Sequence, residues 1–320
     1  MQKLHLGAAQ CALDLGDGSE RAEYVNQDYI LHKLGRPHRA IGIMYTYYPH
    51  DKQWPQRISK ACKDMNITFQ WDYPYDDYFP FNADGQPWEQ MRDIRRHGQD
   101  VALTLTLDCS LSDDELREVA RMLRPYGRMT IRINHECSGT WFTHNKRFTY
   151  EQVGKFFAHF SDIIHQEAPN VRTVFCAGFA QADGKLEKED EFAVAYRAAD
   201  VWSADCYLAL HYGWPYDVAE VGGGQYKADS VGMYYDLFRR TYERASSQFG
   251  CKPLVTAEFN TDGDVTGPRH QGESVIRFAE AFRDHKADWF KAISLYQFRD
   301  RGRLGLEIED PNNPAVGIEQ

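Results

Sequence analysis

The chain has 320 residues, a formal net charge of -10, 42% hydrophobic and 26% charged residues, a balance that supports a full buried core and excludes an intrinsically disordered chain. The acidic balance, with no lysine- or arginine-rich run to override it, argues against nucleic acid as a partner, and no segment approaches the roughly 20 apolar residues of a membrane helix. Aromatic residues make up 14%, with 19 tyrosines and 7 tryptophans, side chains whose flat apolar face and polar edge suit sugar rings as well as they suit packing.

In chain order, Met1-Gln2-Lys3 leads into a short strand pattern rather than a signal peptide. Strand patterns follow at Leu4 to Ala8, Ile41 to Tyr48, Ile67 to Tyr73, Val101 to Asp108, Met129 to Glu136, Arg172 to Gly178, Val201 to Tyr207, Pro253 to Phe259 and Ala292 to Phe298. Between them, Asp113 to Leu123, Glu151 to His165, Val231 to Ser246 and Gly272 to Arg283 carry helical periodicity. Repeated strand and helix predict a parallel sheet, and the length suits one (β/α)8 TIM barrel, about 250 residues plus insertions. No linker or composition shift divides the chain, so residues 1-320 are expected to form a single domain. Nine strand candidates exceed eight by one, and the surplus lies among the first four.

The seven cysteines, at positions 11, 62, 109, 137, 176, 206 and 251, are odd in number and include no Cys-x-x-Cys pair. That predicts reduced thiols rather than a disulfide framework or a zinc site. A cytoplasmic protein is expected, with a secreted form that has lost its leader as the alternative.

Strand faces locate the chemistry. In Thr130-Ile131-Arg132-Ile133-Asn134-His135-Glu136 polar and apolar residues alternate with period two. Thr104, Thr106 and Asp108 do the same against Leu103, Leu105 and Leu107, and Leu254, Thr256 and Glu258 share a face. Buried polar groups such as Arg132 and Asn134 cost free energy unless hydrogen-bonded, so a polar barrel interior points to a site at the C-terminal strand ends. Counting back from the C-terminus puts Glu136 at the end of strand four and Glu258 at the end of strand seven. Two carboxyl groups so placed could supply what glycoside hydrolysis needs, one to protonate the leaving oxygen and one to attack or to activate water.

The segment Arg132-Ile133-Asn134-His135-Glu136-Cys137-Ser138-Gly139-Thr140-Trp141-Phe142 resembles clan A glycoside hydrolases, and most of all family 26, whose acid/base glutamate follows a histidine. The likeness runs from about Asp93 to Phe298, with its strongest motifs around the two glutamates. It implies a retaining double displacement with Glu136 as acid/base and Glu258 as nucleophile, and no cofactor or metal. His135 would contact the sugar or the nucleophile, Tyr207 would hydrogen-bond the nucleophile, and Trp141 and Phe142 would form a sugar-stacking wall. Arg132, Asn134, Trp71, Asp72, Gln297 and Arg299 complete the expected substrate-binding set. Where the family has tryptophan at the end of strand eight this chain has Tyr296-Gln297-Phe298-Arg299, which leaves the sugar open. The implied substrate is an oligo- or polysaccharide: β-1,4-mannan or a manno-oligosaccharide first, with β-1,3-xylan, mixed-linkage β-glucan or a small β-glycoside as alternatives.

Other readings compete at particular residues. His135-Glu136 lacks the second histidine of a His-Glu-x-x-His zinc site. The Trp71 to Tyr78 segment reads as a sugar-binding lip, a calcium loop or a packed aromatic turn. Asp205, next to Cys206 on strand six, reads as a buried hydrogen-bond hub. Arg299, Asp300, Arg301 and Arg303 read as a salt-bridged rim. A glycan-binding barrel without catalysis is the competing class, but a binder needs neither glutamate.

Overall fold

The computed structural model describes residues 12–15, 25–50, 79–81, 85–139, 147–208, 211–212, 220–221, 230–261 and 268–298. Among the described residues eight strands close the barrel: β1 (Ala12–Asp14), β2 (Ala40–Tyr47), β3 (Asp100–Leu107), β4 (Met129–Ile133), β5 (Val171–Phe179), β6 (Val201–Tyr207), β7 (Leu254–Asn260) and β8 (Phe290–Leu295). Every neighbouring pair is parallel, and β1 pairs with both β8 and β2, which closes the ring. The chain is a (β/α)8 barrel of the TIM type.

Among the described residues seven α-helices lie between consecutive strands: α1 (Gln27–Leu34), α2 (Gln86–Arg96), α3 (Asp113–Leu123), α4 (Tyr150–Glu167), α5 (Ala193–Ala198), α6 (Ser230–Phe249) and α7 (Pro268–Asp284). Among the described residues no helix is long and apolar enough to cross a membrane. α4 illustrates why the helices form and where they go. Thr149 accepts from the Gln152 N–H at 3.2 Å while the Gln152 side chain accepts from the Thr149 N–H at 2.9 Å, a reciprocal cap that satisfies two orphan donors of the first turn. Val153, Phe156, Phe157, Phe160, Ile163 and Ile164 then recur at helical spacing and are buried, each stabilising the packed state by about 1.5–3 kcal/mol. Phe157 meets Phe175 of β5 edge-on at 4.8 Å.

Seven of the nine sequence-predicted strands coincide with barrel strands, within a few residues at each end. Leu4 to Ala8 and Ile67 to Tyr73 lie outside the described residues. The first barrel strand is instead the three-residue Ala12–Asp14, too short to show any periodicity. A two-residue strand, Phe79–Pro80, pairs with Tyr45 and Thr46 of β2, beyond the stretch Ala40 to Gly42 that β1 occupies.

The five described cysteines are free thiols, with Cys137, Cys176 and Cys206 buried.

Candidate active site

Arg132 on β4 defines the barrel interior. Its Nε donates to Thr104 Oγ1 of β3 at 3.0 Å, Nη1 to Asp205 Oδ2 of β6 at 3.4 Å, and Nη2 to Glu258 Oε1 of β7 at 2.6 Å. Strands β4, β6 and β7 are not all neighbours in the sheet, so one side chain reaches these partners only across the inside of the ring. Arg132, Asp205 and Glu258 are each less than a tenth exposed. Charges buried this deeply persist only when paired and hydrogen-bonded; the neighbouring Glu258 and Asp205 carboxylates overcome the burial penalty and hold the guanidinium charged.

Glu258 is aimed by an irregularity in β7. The pairing of β7 with both neighbours shifts register between Val255 or Thr256 and Phe259, so Ala257 and Glu258 sit in a bulge that re-directs a side chain. Side chains of β6 receive the displaced amides: Ser203 Oγ accepts from the Ala257 N–H at 2.9 Å and Asp205 Oδ1 from the Glu258 N–H at 3.0 Å. The carboxylate then takes Arg132 on Oε1 and the Tyr207 hydroxyl on Oε2, the latter at 2.8 Å. Burial, with Glu258 alongside, pushes the Tyr207 phenol well above its ordinary value, so it is a donor at all working pH. Both oxygens of Glu258 thus meet a hydrogen-bond donor.

Glu136 stands three residues beyond β4 rather than on it, because the strand ends at Ile133. Period-two alternation breaks at Asn134, whose φ is 59°, and Glu136 itself has φ of 37°. Asparagine visits the left-handed region readily. Glutamate there is strained by about 1–3 kcal/mol, a cost the surroundings must hold. They do: the Glu136 carbonyl accepts from the Gly139 N–H at 2.7 Å, and the Cys137 and Ser138 N–H groups donate to Cys176 and Ala177 of β5 at 3.1 and 2.8 Å. Asn134 fastens the same turn to β3, accepting from the Leu107 N–H at 2.8 Å and donating to Cys109 Sγ at 3.6 Å.

His135 lies between the two glutamates, Nδ1 3.3 Å from Glu258 Oε1 and Nε2 3.9 Å from Glu136 Oε2. Burial and the Arg132 charge push its pKa well below the usual range, so the imidazole is neutral. One ligand atom from each of His135, Glu136 and Glu258 lies within 4.8 Å of the others. Such a trio could chelate a divalent ion, but the guanidinium on Glu258 and a protonated Glu136 both oppose a cation there.

Burial, followed by the negative charges of Asp205 and Glu258, raises the Glu136 pKa well above that of an ordinary carboxyl. Asp205 is itself raised to about 7, by burial and by Glu258, with Arg132 and a hydrogen bond from Glu136 pulling it back down. The pair therefore keeps its proton on Glu136, so that this carboxyl is able to donate one near neutral pH.

The structure brings together Arg132, His135, Glu136, Tyr207 and Glu258 from the sequence-predicted set. The Asn134 side chain is directed to the end of β3, and Gln297 is buried just past β8. Tyr296 sets its ring edge-on to Tyr207 at 6.2 Å. Trp71, Asp72, Trp141, Phe142 and Arg299 lie outside the described residues. Asp205 and Thr104 are the site residues the predicted set left out. Their signal was the polar, inward face of each strand, and Asp205 had been marked only as a hydrogen-bond hub.

No protein-family model matches the sequence, and no curated protein sequence does either. Solved structures do. A glucosidase from Croceicoccus marinus superposes with a TM-score of 0.58 at 10% identity, covering 97% of this chain and 63% of the glucosidase. A family 39 glycoside hydrolase from Bacteroides cellulosilyticus gives 0.57 at 8%, covering 97% and 61%. A family 26 β-mannanase from Bacteroides ovatus gives 0.53 at 10%, covering 89% and 79%. This chain spans about three fifths of the length of the first two. At these identities the likeness establishes the shared barrel.

Proposed function

We propose that this chain is a retaining β-glycoside hydrolase. Glu258 attacks the anomeric carbon, and Glu136 protonates the departing glycosidic oxygen. Glu136, now ionised, deprotonates the water that hydrolyses the glycosyl-enzyme. The observation that carries the reading is the carboxylate pair: an oxygen of Glu136 and one of Glu258 lie within 4.8 Å, the spacing of a direct attack rather than the about 6.5–9.5 Å that leaves room for water in an inverting site. The opposed electrostatics support the division of roles, since Glu136 is raised by burial while Glu258 is met by Arg132 and Tyr207.

The substrate we assign first is β-1,4-mannan or a manno-oligosaccharide. The His135-Glu136 pair and the family 26 β-mannanase among the structural neighbours support it. His135, Arg132, Tyr207 and Gln297, with Trp71, Asp72, Trp141, Phe142 and Arg299, are proposed as the residues that bind or frame the sugar, and Asn134 as the residue that holds the Glu136 turn in place. Free thiols at the described cysteines support a reducing compartment.

The test is a panel of β-1,4-mannan, β-1,3-xylan, mixed-linkage β-glucan and aryl β-glycosides, with the first-formed product followed by proton NMR. Release of a β-anomer that later mutarotates supports the proposal. A first-formed α-anomer, or no cleavage of any β-glycoside, overturns it.

A further inference from the structure

The turn that carries Glu136 is laced to the end of β5 through Cys137 and Ser138, and β5 departs from regular geometry at that point. Cys176 pairs with Ser203 but Phe179 pairs with Asp205, so β5 spends one residue more than β6 over the same stretch. The extra residue creates a tight approach at Gly178: a Cβ there would sit 2.2 Å from Glu187 Oε2 and 3.0 Å from Ser138 Oγ, side-chain ends that would have to give way. Phe179 follows it, and its side chain is 38% exposed. A lone exposed hydrophobic residue is ordinary, but this one is fixed in place. Its N–H donates to Glu187 Oε2 at 2.9 Å, and the Glu187 carbonyl accepts the Tyr196 hydroxyl at 2.9 Å.

Position gives the ring a use. Around the barrel Glu136 follows β4, Phe179 ends β5, Asp205 is on β6 and Glu258 is on β7. The general acid must lie beside the leaving oxygen and the nucleophile on the far side of the sugar being cleaved. The departing sugar therefore rests on the β4 and β5 side, where Gly178, next to Phe179, approaches Ser138 of the Glu136 turn and Phe179 pairs with Asp205 of the neighbouring strand.

We infer that Phe179 is the stacking platform of the first leaving-group subsite, taking the apolar face of a neutral pyranose. This rests on the glycosidase reading of the Glu136 and Glu258 pair. Stacking there strengthens binding of the leaving sugar and of any saccharide acceptor entering from the same side, while leaving the attacked sugar to other residues.

The experiment compares wild type, Phe179→Ala and Phe179→Trp on an oligosaccharide and on the glycosyl fluoride of the same glycon, whose leaving atom is too small to reach the ring. For Phe179→Ala, kcat/KM on the oligosaccharide is expected to fall about tenfold more than on the fluoride, the size of a lost ring contact. Transfer from the fluoride to an added saccharide acceptor should fall with it, and Phe179→Trp should restore both. Equal losses on both substrates, or none on either, overturn the platform while leaving the glycosidase reading intact. If wild type cleaves neither substrate, the reading of the site falls and the platform with it.

Discussion

Arg132 Nη2 lies 2.6 Å from Glu258 Oε1 in an ion pair whose side chains are only 4% and 6% exposed. The same guanidinium also faces Asp205. Asp205 and Glu258 converge on Arg132, and its guanidinium pairs with both. Arg132→Met should therefore lose about 3–5 kcal/mol of stability at neutral pH, the cost of leaving buried charge uncompensated, measured by urea denaturation. The deficit should shrink as pH falls, because protonation of the carboxyl groups removes what the guanidinium balances.

Beyond burial, Asp205 raises the Glu136 pKa both by its charge and by accepting a hydrogen bond from the protonated Glu136 carboxyl. Asp205→Asn removes the charge, so the Glu136 pKa falls towards the ordinary carboxyl range. The alkaline limb of the kcat/KM profile should move to lower pH, with the acidic limb less affected. An unmoved alkaline limb would show that Asp205 does not set the acid.

Glu136→Gln separates catalysis from stability. On a substrate with a poor leaving group kcat should drop about 10²–10⁴-fold, the contribution of a positioned acid. Stability should move the other way. A carboxyl whose folded pKa is raised contributes fully below its unfolded pKa, and loses that contribution as pH rises through the raised folded value. Glutamine has no proton to lose. The melting temperature of Glu136→Gln should exceed that of wild type by a margin that widens from the ordinary carboxyl range upward and levels off above the raised value.

Asn134 is predicted to be structural at its side chain. Asn134→Ala removes the acceptor of the buried Leu107 N–H and places alanine at a φ of 59°. About 1–3 kcal/mol of stability should be lost, read by thermal or urea melts. A change in substrate affinity with no change in stability would instead make Asn134 a sugar contact.

Much of this was legible in the sequence because strand periodicity fixes what a strand side chain faces. Thr104, Arg132 and Glu258 occupy the polar phase of their strands, and the count of strands from the C-terminus places the glutamates correctly at β4 and β7. The reading fails where the backbone leaves regular geometry. Alternation from Thr130 to Glu136 sends Asn134 inward, but its left-handed φ turns the amide to β3 instead. The bulge that lets Asp205 catch the Glu258 amide has no pattern of its own, so Asp205 read only as a hub, and the Gly178 bulge hid Phe179 entirely. The three-residue β1 is below the length at which periodicity exists.

The central claim is that Glu258 is the nucleophile, and its most direct measurement is Glu258→Ala assayed with and without azide on an activated β-glycoside. Turnover should fall by several orders of magnitude without azide and return with it, giving the α-glycosyl azide. Near-normal turnover by Glu258→Ala without azide, or a β-configured azide product, would contradict the assignment.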